Sequence, residues 1–177
     1  DFKAKGTGYD PQTARADFSG TVTNAMLNHY NYHHLQAHGS IGDKNYKINV
    51  TVDDPNLAAK ADVNGNLSGT YPTVHLKSLI DSIRTLPLHL TAKRYLYHGD
   101  IVADFSNLDP DHPDGNLQVT HSILVTDSNR ITIDSLTFSA ANHGANEQIL
   151  LKTNFLAASI DGQYKLTKLR EIFQQAN

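Results

Sequence analysis

Ten histidines are the residues of this chain most suited to chemistry, and His29, His33, His34 and His38 lie close together. On a helix, a pair at i and i+4 would share one face and could bind a common metal ion. The flanking residues instead alternate as in a strand, which sets His34 and His38 on one face and His29 and His33 mostly on the other, with no acidic ligand nearby. Solvated strand histidines are therefore expected. The run Asp109-Pro110-Asp111-His112-Pro113-Asp114-Gly115 resembles a calcium loop in composition, but its third Asp is displaced by one position and no Glu closes the loop. A plain turn is the expectation there. His38-Gly39-Ser40-Ile41-Gly42 lacks the first Gly of a nucleophile elbow. Gly6-Thr7-Gly8 lacks the third Gly and the acidic residue of a dinucleotide site, and no phosphate-cradling loop occurs elsewhere. Asp104, Asp134 and Asp161 fall on polar strand faces, where a solvated carboxylate is the simplest reading. A glycosidase pair is defined by spatial separation, so sequence alone leaves it open. No residue set points to catalysis, and no cofactor or metal is expected.

The elements that carry these residues alternate with period 2. Along Tyr46 to Val52, Tyr46, Ile48, Val50 and Val52 are apolar while Lys47, Asn49 and Thr51 are polar, which describes a strand with one wet face. The same alternation runs through Ala16, Phe18 and Val22, through Ile101, Ala103 and Phe105, through Val119 and Ile123, and through Ile131 and Ile133 before Phe138. Turn residues separate these runs at Asp10-Pro11, Gly42-Asp43, Asp53 to Asn56, Asp109 to Gly115, Asp127 to Asn129 and Asn142 to Asn146. About ten short strands joined in this way predict an antiparallel meander. Small or apolar residues also recur at alternate positions ending on Gly, as in Ala16-Phe18-Gly20, Leu35-Ala37-Gly39, Ala61-Val63-Gly65 and Ala158-Ile160-Gly162. A row of strand glycines on the apolar parity predicts a sheet that curves without closing. Two segments depart from period 2. Leu76, Leu79, Ile80, Ile83 and Leu86, stopped by Pro87, predict a short helix, and Leu166, Leu169, Ile172 and Phe173 behind a Thr167 N-cap predict a second. The predicted class is thus all-β with one or two short helices.

Composition agrees with a half-wet sheet. The 177 residues carry a net charge of −3, 39% are apolar and only 19% charged, while Asn and Thr supply neutral polarity. Without clustered Lys and Arg, nucleic acid is not an expected partner. The absence of Cys excludes a disulfide framework, thiolate zinc sites and a cysteine nucleophile. With no signal peptide and no apolar run near 18 residues, the chain reads as one β-rich segment, residues 1–177, excised from something longer.

Several stretches carry a family resemblance. Gly99 to Phe105, the Asp53-Asp54-Pro55-Asn56-Leu57 turn, Ile133 to Leu136 and Asn154 to Leu166, together with Ala16 to Val22 followed by Tyr30-Asn31-Tyr32, resemble the β-rich region of TamB and AsmA-like proteins. These are envelope proteins of Gram-negative bacteria. The resemblance implies an open, taco-like half-pipe with an apolar inner face, in a periplasmic protein anchored in the inner membrane outside this segment. It implies no catalytic residues. Its implied partners are phospholipid acyl chains in transit to the outer membrane and an outer-membrane barrel of the TamA type. Candidate groove residues, taken from the apolar parity, are Phe18, Val22, Ile48, Val50, Ile101, Ala103, Phe105, Val119, Ile123, Ile131, Ile133, Phe138, Phe155 and Ile160. Periodicity alone also permits these to be the core of a closed sandwich. Two further readings are a β-sandwich binding or scaffold module, with Tyr9, Tyr30, Tyr32, Tyr95 and Tyr97 as a carbohydrate surface, and a hydrolase using clustered His and Asp.

Overall fold

The computed structural model describes residues 1–8, 13–143, 146–163, 165 and 167. Alternation gives strands wherever it was read. Eleven of them follow one another along the chain: β1 (Phe2–Thr7), β2 (Arg15–Leu27), β3 (Tyr30–Gly42), β4 (Asn45–Asp54), β5 (Leu57–Asn66), β6 (Thr73–Arg84), β7 (Leu96–Asn107), β8 (Asp114–Val125), β9 (Arg130–His143), β10 (Asn146–Thr153) and β11 (Ala157–Asp161). They form one antiparallel sheet in strict chain order, β1 to β11, so the two outermost strands do not pair and the sheet stays open. A sandwich needs two packed sheets and is not this architecture. Short turns set the register. Asn28-His29 and Asp43-Lys44 are two-residue connections with positive φ at both positions, the mirror-image turn whose twist matches that of the flanking strands.

The segment read as a helix around Leu76 to Leu86 is the strand β6 followed by a loop. Val74, Leu76, Ser78 and Ile80 occupy one face, while Leu79 points away and is exposed. A bulge follows Ile80, because Ile80 pairs with Gly99 but Ile83, three residues on, pairs with Tyr97. That extra residue returns Ile83 to the face of Ile80 and mimics helical spacing. The second predicted helix, with Leu166, Leu169, Ile172 and Phe173, lies outside the described residues. So does the predicted Asp10-Pro11 turn.

Irregularities line up across the sheet. The β2–β3 ladder skips Thr23 and His34, β6 bulges after Ile80, and the β8–β9 ladder skips His121 and Asp134. His34 and His121 have φ of 49° and 51°. All of them flank one row of paired residues, Val22, Leu35, Val52, Ala59, Ile80 and Gly99. Bulges bend a strand and raise its twist, so a line of them folds the sheet along a crease.

Among the described residues no second layer seals the apolar side. Among the described residues the buried apolar side chains are Ile80, Leu88, Ala103, Ala140 and Ile149, and of these Leu88 is fully buried. The chain exposes 11812 Å², whereas a compact monomer of 19.5 kDa would expose about 8,500 Å². Among the described residues no helix is long and apolar enough to cross a membrane.

Candidate functional site: an apolar trough across eleven strands

Residues paired directly across antiparallel strands share a face, so the register alone traces what each face carries. One row runs Gly6, Ala16, Ile41, Tyr46, Gly65, Val74, Phe105, Gly115, Ala140, Ile149 and Ile160. The next runs Ala4, Phe18, Gly39, Ile48, Val63, Leu76, Ala103, Leu117, Phe138, Leu151 and Ala158. Neither contains a charged residue. A third row passes Gly20, Ala37, Val50, Ala61, Ser78, Ile101, Val119 and Leu136. Ten inter-strand spacings of about 4.8 Å make the two full rows about 48 Å long. Their side chains are mostly half-buried rather than sealed, as on the concave side of a curved single sheet.

Aromatic rings lie over the strand glycines and level the floor. A side-chain carbon on Gly39 would come within 2.7 Å of the Phe18 ring, and one on Gly65 within 2.7 Å of the Tyr46 hydroxyl. Tyr46 reaches past Gly65 to donate to Thr73 O at 3.0 Å, and burial raises its hydroxyl pKa. Only glycine allows this close cross-strand approach. Phe105 and Phe138, two strands apart, have ring centroids 6.4 Å from one another.

The candidates Phe18, Ile48, Val50, Ile101, Ala103, Phe105, Val119, Phe138 and Ile160 fall on these rows, and Val22 lies on the crease row of the same face. Ile131 and Ile133 join them through the skipped Asp134, which shifts the parity of β9 so that Ile133 lies opposite Ser122 and Ile131 opposite Leu124. Two candidates are placed elsewhere. Ile123 pairs with His98 and Thr132 on the opposite face, because the extra residue at His121 reverses the parity of β8. Phe155 sits in the β10–β11 turn and is 70% exposed.

Past the crease, beside Leu57 and Ile83, the concave face also holds a buried carboxylate. Asp54, 4% exposed, follows Val52 on the same parity. Its carboxylate accepts from the Tyr30 hydroxyl at 2.7 Å, from His33 N at 2.9 Å and from Asn56 N at 2.8 Å. Burial alone pushes the Asp54 carboxyl up, but these three donors outweigh it and hold its pKa below the usual aspartate value. Tyr30 shifts upward, first through burial and then through its bond to Asp54. Sequence reasoning missed this cluster, although Asp54-Pro55-Asn56 carries the signal of a side chain that bonds its own backbone two residues on.

The loop at residues 85–95 is a built structure rather than a slack connection. Thr85 N donates to Tyr95 O at 3.0 Å, and Thr91 Oγ1 donates to Thr85 Oγ1 at 2.6 Å. Leu88 within it is 0% exposed. Asn28 Nδ2 donates to His89 O at 3.0 Å, and His89 Nδ1 donates back to Asn28 O at 3.1 Å. The loop is thereby tied to the β2–β3 turn across the ends of β4 and β5.

The residues weighed for chemistry scatter. His34 and His38 are exposed, and His33 contributes its backbone to Asp54. His121 pairs with Asp100 at 2.9 Å and His75 with Asp104 at 3.1 Å, each as an isolated pair. In the 109–115 segment Asp109 Oδ1 accepts from Asp111 N within the turn, while Asp111 Oδ1 accepts from N and the hydroxyl of the distant Thr167. His112 from the same loop bonds the buried Glu147 at 2.6 Å. Tyr30 and Tyr32, both on β3, meet edge to face at 4.8 Å, while Tyr97 lies on β7 and accepts from Ser122 on the adjacent β8. Tyr9 lies outside the described residues. Among the described residues no three His, Asp or Glu side chains are grouped to hold a metal ion. Comparison with protein-family models, with curated proteins and with solved structures finds no match to this chain.

Proposed function

We propose that this chain is a non-enzymatic trough segment that shelters phospholipid acyl chains, in a periplasmic envelope protein of the TamB and AsmA-like kind. The supporting observation is the pair of uncharged rows that cross all eleven strands on a face that no other described element covers. An acyl chain leaving a bilayer for water loses about 0.8 kcal/mol for each exposed CH₂. An apolar floor removes most of that cost without a reactive group. At about 48 Å the floor is longer than the roughly 30 Å hydrocarbon core of a bilayer, so it can hold extended chains along its rows. Movement along it is passive, or is driven by components elsewhere, among them an outer-membrane barrel of the TamA type.

The test is lipid uptake by the purified chain. A fluorescent fatty acid should bind, phospholipid should copurify, and Val50→Asp or Ile133→Asp should abolish both while the far-ultraviolet spectrum stays that of a sheet. An unmodified chain that takes up neither probe sinks the proposal.

A further inference from the structure

The two lines of turns that bound the sheet differ in kind. On one side are the Asp43-Lys44 turn, the loop at residues 67–72 and the loop at residues 108–113, rich in Ser, Gly, Asp and Pro, with Tyr71 and Leu108 exposed at 39% and 38%. On the other side the β4–β5 and β8–β9 turns are polar, but three connections carry greasy, exposed tips. The β2–β3 turn presents Met26 at 74% and Leu27 at 67% exposure, the 85–95 loop presents Leu86 and Leu90, and the β10–β11 turn presents Phe155 and Leu156. The mutual bonds between Asn28 and His89 hold the first two of these together.

Basic residues accompany the greasy tips. Arg84, Lys93 and Arg94 flank Leu86 and Leu90, and Arg130 opens β9 beside them. A cavity of about 470 Å³ lies between the 85–95 loop and the end of β8; its wall includes Leu86, Pro87, Leu96 and Val125, and both Arg84 and Arg94 line it. Arg94 has a loose pair with Asp127 at 4.0 Å, both largely exposed. Among the described residues the Arg84 guanidinium has no acidic partner. Exposed Asp53 and Asp81 lie on neighbouring strand ends, so the attraction is local to this cavity. Two guanidiniums beside apolar walls match a phosphate joined to hydrocarbon, and exposed aliphatic tips with flanking Arg and Lys are the composition of an interfacial anchor.

We infer that this rim docks on an anionic lipid surface, with Arg84 and Arg94 seating a headgroup phosphate and the exposed Met, Leu and Phe side chains entering the headgroup–acyl boundary. This is a surface-binding activity separate from acyl-chain sheltering, and it gives the trough a membrane-facing side.

Flotation of the whole chain with vesicles tests it. With 3:1 phosphatidylcholine–phosphatidylglycerol the chain should float, and with pure phosphatidylcholine it should stay behind. Arg84→Glu with Arg94→Glu should lower partitioning by about tenfold or more, and added salt should have the same direction of effect. Leu27→Asp with Leu90→Asp should lower it independently of charge on the lipid. Tyr71→Asp with Lys44→Glu on the opposite rim should leave it unchanged. The rim variants should still take up fluorescent fatty acid, so a failure of docking and a failure of the trough are read separately. Equal flotation with neutral vesicles, undiminished flotation of the rim variants, or saturation of Arg84 and Arg94 by inorganic phosphate with no vesicle binding would each overturn the inference.

Discussion

Two adjacent rows of the same sheet invite comparison. Ala4, Phe18, Gly39, Ile48, Val63, Leu76 and Ala103 lie on the concave face; one residue away along each strand, Lys5, Asp17, Ser40, Lys47, Asn64, His75 and Asp104 lie on the convex face. Strand length, register and backbone pairing are common to both rows. Their difference is therefore one of side chains alone. The convex row is joined by short polar contacts, such as His75 with Asp104 and, one row over, Asn49 with Asp62. The concave row fits by shape, with rings laid over glycines. Contacts of the first kind tolerate change because water replaces them, whereas close backbone approach does not.

Matched substitutions on the two faces measure that contrast. The largest effect is expected for Gly65→Val, whose added carbons would meet Tyr46 and the Thr73 backbone; chemical denaturation should show a loss of about 3 kcal/mol. Asn64→Val, its neighbour on the convex face, should lie within about 0.5 kcal/mol of the unmodified chain. Next is Asp54→Ala, which strands the Tyr30 hydroxyl and two backbone N–H groups and should cost about 2 kcal/mol. Because the folded pKa of Asp54 is lowered, its contribution is present at neutral pH and is lost as pH falls below the ordinary aspartate value of about 3.9. A urea midpoint followed from pH 7 to pH 2.5 should fall less steeply in Asp54→Asn than in the unmodified chain. Val50→Asp should weaken binding of a fluorescent fatty acid at least tenfold, about 1.4 kcal/mol, with Thr51→Asp on the outer face close to neutral. Smallest is His75→Ala: both partners of this pair are half exposed or more, so its loss should shift stability by less than about 0.5 kcal/mol.

Much of this contrast was legible in the chain itself, because the period-2 pattern depends only on local alternation. Tyr46 to Val52 reads correctly as one face of β4, and the glycines on the apolar parity point to a curved sheet. What escaped was every place where parity changes. Leu79 on the convex side and the bulge after Ile80 together imitate a helix, and the extra residue at His121 carries Ile123 away from Val119. A bulge is specified by how neighbouring strands pair, and no single strand contains that information. The Asp54 cluster escaped for a related reason, since Tyr30 and His33 come to it from another strand. The seating of the 85–95 loop on Asn28 is a contact across some sixty positions and has no local signature.

The strict chain order of the sheet has a kinetic side. Each strand pairs only with the strands just before and just after it in sequence. Loop closure is consequently short at every step, and the sheet can zip from any hairpin outward, without waiting for distant segments to meet. Stability then accumulates hairpin by hairpin, as in a linear array of coupled units, and fraying should start at the outer strands rather than at the centre. Hydrogen exchange would register this as a gradient, fast at β1 and β11 and slowest near β6 and β7.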